Sequence, residues 1–189
     1  YTDKELVDEI SSHLPEFEGQ EQITILEPSA GVGNFIPPLL KKYRHKRSVK
    51  LILNDIDPDA ISVLEKLLSL LDVASNFEII FSSEDYLLKD FRDIDLTVGN
   101  PPFMKLDNHP YKKRRINTQS SDSFSMFLEK ALREAKFVSF IVPKYLLGTP
   151  KYIKTRELLL KNDIQTIIDF GESGFHGVRI ETISLFVST

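Results

Sequence analysis

The stretch ILEPSAGVGNF, residues 25–35, decides the fold, because it joins the end of an apolar run to two closely spaced glycines and the start of a helix-length segment. This order is typical of the first unit of a parallel α/β sheet. Glycines carry no Cβ, so the backbone can approach a ligand closely, and ligands of open parallel sheets lie at the carboxyl ends of the strands. We therefore expect a ligand site at this turn.

The residues around the glycines narrow the chemistry of that ligand. A dinucleotide fingerprint needs a third small residue at position 36, where the chain has Ile36, so a pyrophosphate-binding loop is disfavoured. Glu27 at the predicted strand end would repel a pyrophosphate and suits a positively charged group. Asp55 ends the next apolar run and Asp85 follows the third. Asp55 lies near the roughly 20-residue offset at which an acid reaches ribose hydroxyls.

Three acids at successive strand ends indicate a nucleoside-containing cofactor with a positive centre, a description that S-adenosylmethionine fits. Each acid also has a plainer interpretation. Asp85 alone could be a helix cap or a surface acid, and Asp57 and Asp59, beside Pro58, are typical turn and cap residues. The joint spacing favours the cofactor site.

Apolar, β-branched runs alternate with amphipathic segments along the whole chain, which predicts an α/β domain with a mainly parallel sheet. The predicted strands cover residues 23–27, 50–55, 77–82, 95–99, 138–143, 164–170 and 180–188. The predicted helices cover residues 4–14, 35–43, 59–71, 123–135 and 149–161. A short Gly-rich connection joins the last two strands, so we expect an antiparallel hairpin at that edge. Residues 104–122 are predicted to be a long loop without regular structure.

Composition sets limits on the class of protein. The 189 residues, 41% hydrophobic and 28% charged, suit one globular domain, and the absence of Cys excludes disulfides, thiolate zinc sites and a cysteine nucleophile. The sequence contains no run of 18 apolar residues and no secretory signal, so we expect a cytoplasmic protein that does not contact a membrane. The net charge of -4 argues against a surface that is basic all over, so nucleic acid would have to bind through a local basic patch. The first and last residues suggest a piece of a longer protein.

The tetrapeptide Asn100-Pro101-Pro102-Phe103 follows the fourth predicted strand, beside the same cofactor site. Two prolines fix φ and remove two amide donors, so a carboxamide on this backbone is held in place. If the Asn100 side-chain oxygen and the Pro101 carbonyl accept the hydrogens of a planar amine, its lone pair can attack a methyl donor. Phe103 offers a face on which a base extruded from a duplex could stack.

With these motifs, the chain resembles the amino-methyltransferases of the S-adenosylmethionine-dependent Rossmann-like superfamily, above all the adenine-N6 DNA methyltransferases of restriction-modification systems. The resemblance covers nearly all 189 residues, and NPPF is its most specific motif. It implies a class I methyltransferase fold with a seven-stranded, mainly parallel sheet, a C-terminal antiparallel hairpin and helices on both faces. It also implies that residues 1–189 form a single catalytic domain whose target-recognition domain or subunit lies elsewhere.

The resemblance also assigns roles. The base-holding residues would be Asn100, Pro101, Pro102 and Phe103. The cofactor-binding residues would be Thr2, Glu27, Ala30, Gly31, Gly33, Asp55, Ile56 and Asp85, with Asp55 on the ribose, Ile56 on the adenine ring and Asp85 on its amino group. The implied partner is double-stranded DNA with a flipped adenine, and no metal is implied.

Several alternatives stay open. The acceptor could be adenine in RNA or a protein glutamine, although the protein methylases would carry Tyr in place of Phe103, and the chain could also be a non-enzymatic subunit. The basic run at residues 111–115 either contacts DNA phosphates or is a solvated loop, and the run at residues 41–50 is a solvated helix end. Lys144 and Tyr145 could approach the substrate pocket, but a packing or surface role is the favoured interpretation. The four histidines, His176 among them, are too scattered to suggest a metal site.

Overall fold

The computed structural model of the protein describes residues 4–171 and 180–189. Over these residues the strands are β1 (Gln22–Glu27), β2 (Ser48–Asn54), β3 (Phe77–Ser82), β4 (Ile94–Gly99), β5 (Ala135–Pro143), β6 (Asp163–Gly171) and β7 (Thr182–Ser188). The α-helices are α1 (Lys4–His13), α2 (Ile36–Lys42), α3 (Pro58–Ser69), α4 (Ser123–Glu134) and α5 (Ile153–Leu159). Short 3-10 helices cover Pro110–Lys113, Lys144–Leu146 and Pro150–Tyr152. Among the helices of the described residues, none is long and apolar enough to cross a membrane.

The strands form one sheet in the order β3-β2-β1-β4-β5-β7-β6. β1 to β5 pair in parallel, whereas β7 pairs antiparallel to both β5 and β6. The predicted seven-stranded sheet and its C-terminal hairpin are therefore confirmed. The hairpin is placed so that β7 lies between β5 and the edge strand β6, an order that the sequence did not predict.

Helices cover both faces of the sheet because alternate residues of its strands point to opposite sides. Ile25 packs in a cluster with residues of α1, α2 and α3, whereas its neighbour Leu26 packs with residues of α4 and α5. In β5, Phe137 and Ile141 belong to the first cluster and Val138 to the second. Two apolar cores on either side of the sheet confirm the predicted arrangement.

The predicted elements differ from the structure in three places. The segment 104–122 is more regular than expected, since it contains the 3-10 helix Pro110–Lys113 and a β-bridge between Lys105 and Asp122. The helix predicted over residues 149–161 is a 3-10 turn followed by the shorter α5, because Pro150 starts a separate turn. β5 begins at Ala135, immediately after α4, three residues earlier than predicted.

The strand order creates the site. β1 pairs with β2 on one side and with β4 on the other, through Ile25 opposite Leu51 and Leu96. The connections after β1 and β4 therefore leave the sheet side by side at their carboxyl ends. In open parallel sheets, ligands bind in the crevice at such a switch point.

Candidate cofactor and substrate site

Two adjoining cavities lie at the carboxyl ends of β1, β2, β3 and β4. The strand-end cavity, about 260 Å³, is lined by Pro28, Ser29, Asn54, Asp55, Ile56, Asp85, Tyr86, Leu87, Asn100, Pro102, Met104, Leu106, His109 and Phe127. The glycine-turn cavity, about 160 Å³, is lined by Glu27, Ser29, Ala30, Gly31, Val32, Asn34, Phe35 and Asn100. Ser29 and Asn100 belong to both, so these two residues form the wall between the cavities.

Asp55 holds the glycine turn in shape. The Gly31 amide donates to Asp55 Oδ2 at 2.8 Å, and the Ala30 amide donates to the Asn54 carbonyl at 2.9 Å. Gly31 has a φ of +54° and no atom within 4 Å of the position that a Cβ would take, so its surroundings are open. Asp55 also accepts from the Asp57 amide at 3.0 Å. A carboxylate offers about four lone-pair sites, so capacity remains for ligand hydroxyls.

Gly33 lies outside both cavities, beneath the turn. Its φ is +80°, and a Cβ there would come within 2.7 Å of side-chain atoms of Ile36 and Leu64. The structure therefore requires glycine at this position for the backbone conformation and for the packing of α2 and α3, and not as part of the wall of either of these two cavities.

Glu27 is a buried carboxylate at the end of β1. It is 2% exposed, and its Oε2 has no hydrogen-bond partner among residues 4–171 and 180–189. Burial, and secondarily the charge of Asp55, raises the pKa of Glu27 well above its usual range. A carboxylate in this position is stabilised by a ligand that brings a positive group. This orphaned oxygen fits a cofactor with an ammonium or sulfonium group in the glycine-turn cavity.

The other two acids, Asp55 and Asp85, lie together in the strand-end cavity, and Ile56 is 68% exposed at its mouth. Asp85 accepts from the Leu87 amide at 3.0 Å and contacts His109 Nε2 at 2.7 Å. The structure thus brings the three predicted acids to one rim, with Glu27 in the adjoining cavity.

The NPPF segment is fixed on both sides of Pro101. Ser29 Oγ donates to the Asn100 carbonyl at 3.1 Å, and Ser123 Oγ donates to the Pro102 carbonyl. Pro101 itself is buried. These bonds tie the segment to the glycine turn and to α4, so Asn100 is held on the wall between the cavities.

An aromatic cluster continues from Phe103. Its ring meets Phe124 edge to face at 5.9 Å, and Phe124 meets Tyr145 in the same way at 5.9 Å. Tyr145 is 41% exposed and stacks on Tyr152 at 5.7 Å. Tyr145 therefore belongs to the same aromatic cluster as Phe103, whereas Lys144 pairs with Asp169 at 2.8 Å.

Asp122 anchors this cluster at the start of α4. Burial acts to raise the pKa of Asp122, but hydrogen bonds from its neighbours outweigh burial and hold that pKa well below the usual range. The donors are Lys151 at 2.8 Å, Tyr152 at 2.7 Å, Lys105 at 2.9 Å and Ser120 at 2.8 Å.

The basic run at residues 111–115 is only partly exposed. Tyr111 is buried, and Arg115 donates to the carbonyls of Ser120 and Thr118, which leaves Lys112, Lys113 and Arg114 on the surface. Phosphate contact by those three residues stays a prediction. In the run at residues 41–50, Lys46 is buried and donates to the Phe17 carbonyl at 2.8 Å, so it is not simply solvated.

Asn54 and His109 line the strand-end cavity and are among the residues that sequence reasoning missed. Asn54 is fully buried and joins the ends of three strands through the Pro28 carbonyl and the backbone of Glu84. The sequence did contain a signal for Asn54, because it is a polar residue at the end of an otherwise apolar strand. His109 had no comparable signal, because it lies in a loop 24 positions after Asp85. The predicted cofactor residue Thr2 lies outside the described residues, as does His176, for which no site was predicted.

Residues 26–175 match the family model of the Eco57I restriction-modification methylases. The chain belongs to this family. Among curated proteins, this Eco57I-family chain is 25% identical over 168 residues to the modification methylase CviBIII of Paramecium bursaria Chlorella virus NC1A, covering 87% of the chain and 42% of that protein. It is 28% identical over 182 residues to the type II methyltransferase M.VspI of Vibrio sp. (strain 343), covering 91% and 43%. The chain thus spans less than half the length of these two relatives.

A third relative of this Eco57I-family chain has a different acceptor in its name. The chain is 33% identical over 166 residues to a protein of Methanosphaera stadtmanae assigned as a ribosomal RNA small subunit methyltransferase A, covering 76% of the chain and 58% of that protein.

Solved structures agree on the fold of the Eco57I-family chain. A protein from Listeria monocytogenes assigned to the class I S-adenosylmethionine-dependent methyltransferases superposes with a TM-score of 0.83 at 18% identity, over 100% of the chain and 60% of that protein. The methyltransferase subunit of a type I restriction-modification system from Streptococcus thermophilus gives 0.76 at 17% identity, over 100% and 44%. The predicted class I fold is confirmed, and fold and family make S-adenosylmethionine the cofactor.

Proposed function

We propose that the Eco57I-family chain transfers a methyl group from S-adenosylmethionine to the N6 amino group of adenine in double-stranded DNA, as the modification activity of a restriction-modification system. The observation that supports this most is the place of Asn100, on the wall between the cavity of Glu27 and the cavity of Asp55 and Asp85. An amine held by Asn100 lies at the border of the cofactor site.

The residues divide the work in a simple way. Glu27 pairs with the positive end of the cofactor and Asp55 accepts its ribose hydroxyls. When bound, S-adenosylmethionine supplies an electrophilic methyl group. The Asn100 side-chain oxygen and the Pro101 carbonyl accept the two amino hydrogens of the target base, which localises the nitrogen lone pair. The nitrogen would form its bond to the methyl carbon as the sulfur–methyl bond breaks, with the neutral thioether as leaving group, and one amino proton would leave to solvent.

The aromatic cluster would receive the extruded base. Phe103 presents one ring at the NPPF segment. Tyr145 offers a second, partly exposed ring, and both rings contact Phe124. A flipped base loses its stacking in the duplex, and aromatic side chains replace part of it. Sequence specificity would come from a target-recognition domain or subunit outside the chain, since the chain spans less than half of its first relatives.

Product analysis tests the acceptor. Duplex DNA methylated by the protein is digested to nucleosides, and mass spectrometry is expected to find N6-methyladenine. N4-methylcytosine instead would contradict the adenine assignment. Ribosomal RNA and protein acceptors are assayed in parallel, and RNA is the second candidate because of the 33% identical relative.

The variant Asn100→Ala tests the mechanism. We expect it to lower the rate of methyl transfer about 100-fold or more, since it removes an acceptor placed for the transition state. Asn162→Ala is the matched control, because Asn162 precedes the edge strand β6 and lies at the end of the sheet away from the carboxyl ends of β1 and β4. Equal rates in the two variants would rule out the proposed role of Asn100.

A further inference from the structure

His109 contacts the carboxylate that the proposed function places beside the adenine of the cofactor. Its Nε2 lies 2.7 Å from Asp85 Oδ2, and both side chains line the strand-end cavity. The side chains are 16% and 25% exposed. Because little water reaches the pair, the hydrogen bond is a defined feature of the cavity wall and not a transient surface contact.

The surrounding bonds fix the ring of His109 in one tautomer. The Tyr111 amide can only donate, and it lies 3.2 Å from Nδ1. Nδ1 therefore accepts, and the ring hydrogen lies on Nε2, where it donates to Asp85. The Leu87 amide donates to the other carboxylate oxygen at 3.0 Å. One donor on each oxygen sets the plane in which the Asp85 carboxylate lies.

The segment that carries His109 is itself anchored to α4. Arg133 lies 5.9 Å from the ring of buried Tyr111 and donates to its hydroxyl. Glu129 accepts from the amides of Ile116 and Asn117 at 2.7 and 3.1 Å. His109 is thus held against Asp85 by contacts within the protein itself.

We propose that His109 determines the base specificity of the cofactor site: it keeps Asp85 turned so that the carboxylate accepts from the 6-amino group of adenine and rejects a 6-oxo base. An ionised carboxylate only accepts hydrogen bonds, so a 6-oxo group would face it with a second acceptor. His109 is a positioning residue, because it acts through Asp85. The inference rests on the proposed placement of the cofactor's adenine beside Asp85 and does not depend on the methyl acceptor.

Binding calorimetry with two ligands tests this role without any acceptor. S-adenosylhomocysteine carries the amino group, and S-inosylhomocysteine carries an oxygen in its place. The wild-type protein is expected to prefer the adenosine compound about tenfold or more. The variants His109→Gln and His109→Asn then separate the two ring nitrogens.

His109→Gln places an amide N–H where Nε2 donates to Asp85, and His109→Asn places an oxygen where Nδ1 accepts from Tyr111. We expect the first variant to retain the preference for the adenosine compound and the second to lose it, although both keep the fold. An unchanged preference in His109→Asn would overturn the inference, as would a preference lost only in His109→Gln.

Failure of the proposed function gives a different result. A wild-type protein that binds both ligands equally would overturn the inference together with the placement of adenine beside Asp85. A normal preference combined with no methylation of DNA would overturn only the DNA acceptor.

Discussion

Replacing Glu27 by Gln should stabilise the ligand-free protein and weaken its binding of S-adenosylmethionine. The carboxylate is 2% exposed, and no donor within the described part of the chain reaches its Oε2. An unsatisfied buried polar group costs about 1–3 kcal/mol, more when it is charged, and the amide removes the charge while keeping the shape. For a domain of this size, 1 kcal/mol corresponds to about 2–4 °C in Tm. We therefore expect Tm to rise by at least about 2 °C at pH 7.

The gain should depend on pH in a defined direction. The folded-state pKa of Glu27 is raised, so the folded protein holds a proton that the unfolded chain releases above its ordinary pKa of about 4.3. Stability should therefore fall as pH rises from about 4.3 towards the raised value, because over this range the unfolded chain gains free energy by ionising and the folded protein does not. The advantage of Glu27→Gln should be small at pH 4 and larger at pH 7.

Glu27→Gln should weaken cofactor binding, although it raises the stability of the ligand-free protein. A charge-assisted hydrogen bond contributes about 1.5–3 kcal/mol, which is about 10- to 150-fold in Kd. Calorimetry at pH 7 should show this loss for Glu27→Gln. Wild-type affinity should fall as pH is lowered, because Glu27 must ionise to pair with the cofactor, and the affinity of the variant should not.

Glu129→Gln is the matched control. Glu129 is 1% exposed, like Glu27, but it accepts from the amides of Ile116 and Asn117. In Gln, an NH2 group replaces one of the two carboxylate oxygens and therefore faces one of these backbone donors, so this variant should lose stability. If Glu27→Gln lowers Tm as Glu129→Gln does, or binds the cofactor as tightly as the wild type, the reasoning about the orphaned carboxylate is refuted.

Three further predictions concern the surrounding structure. Asp122→Asn should lose about 2–3 kcal/mol of stability at pH 7. The stability of the wild-type protein should fall as pH drops below about 4, because the pKa of Asp122 is lowered in the fold. Equal Tm values for the two proteins at pH 7 would contradict this prediction. Gly33→Ala should lower the free energy of unfolding, measured in urea, by about 2–5 kcal/mol, because strain at positive φ adds to a close contact with Ile36 and Leu64. Gly31→Ala should lower it by only about 1–2 kcal/mol. The reverse order would refute the packing role of Gly33. Tyr145→Ala should raise the KM for DNA about fivefold or more and leave the Kd for S-adenosylmethionine unchanged. An unchanged KM would show that the Tyr145 ring does not stack on the extruded base.

Much of the fold followed from local pattern. The turn at Gly31 and the alternation of strands and helices predicted a parallel sheet, and the short Gly-rich connection predicted the terminal hairpin. These predictions are confirmed, as is the resemblance to restriction-modification methyltransferases. They succeeded because each depends on residues that are close in sequence.

The errors lie where contacts are distant in sequence. The segment 104–122 contains no strong local signal for structure, yet Glu129 on α4 orders it through two of its amides. Gly33 belongs to the same sequence motif as Gly31, but only the neighbours Ile36 and Leu64 show that it is needed for packing.

The sequence by itself determined which chemical groups the protein would offer: an acid before a glycine turn, acids at later strand ends, and a carboxamide on a proline-stiffened backbone. Only the tertiary structure decided that β1 and β4 are neighbours, that Asn100 lies on the wall between two cavities, and that His109 meets Asp85. The physical reason is that strand order and loop placement result from burying two apolar faces of one sheet, a property of the whole chain and not of any motif.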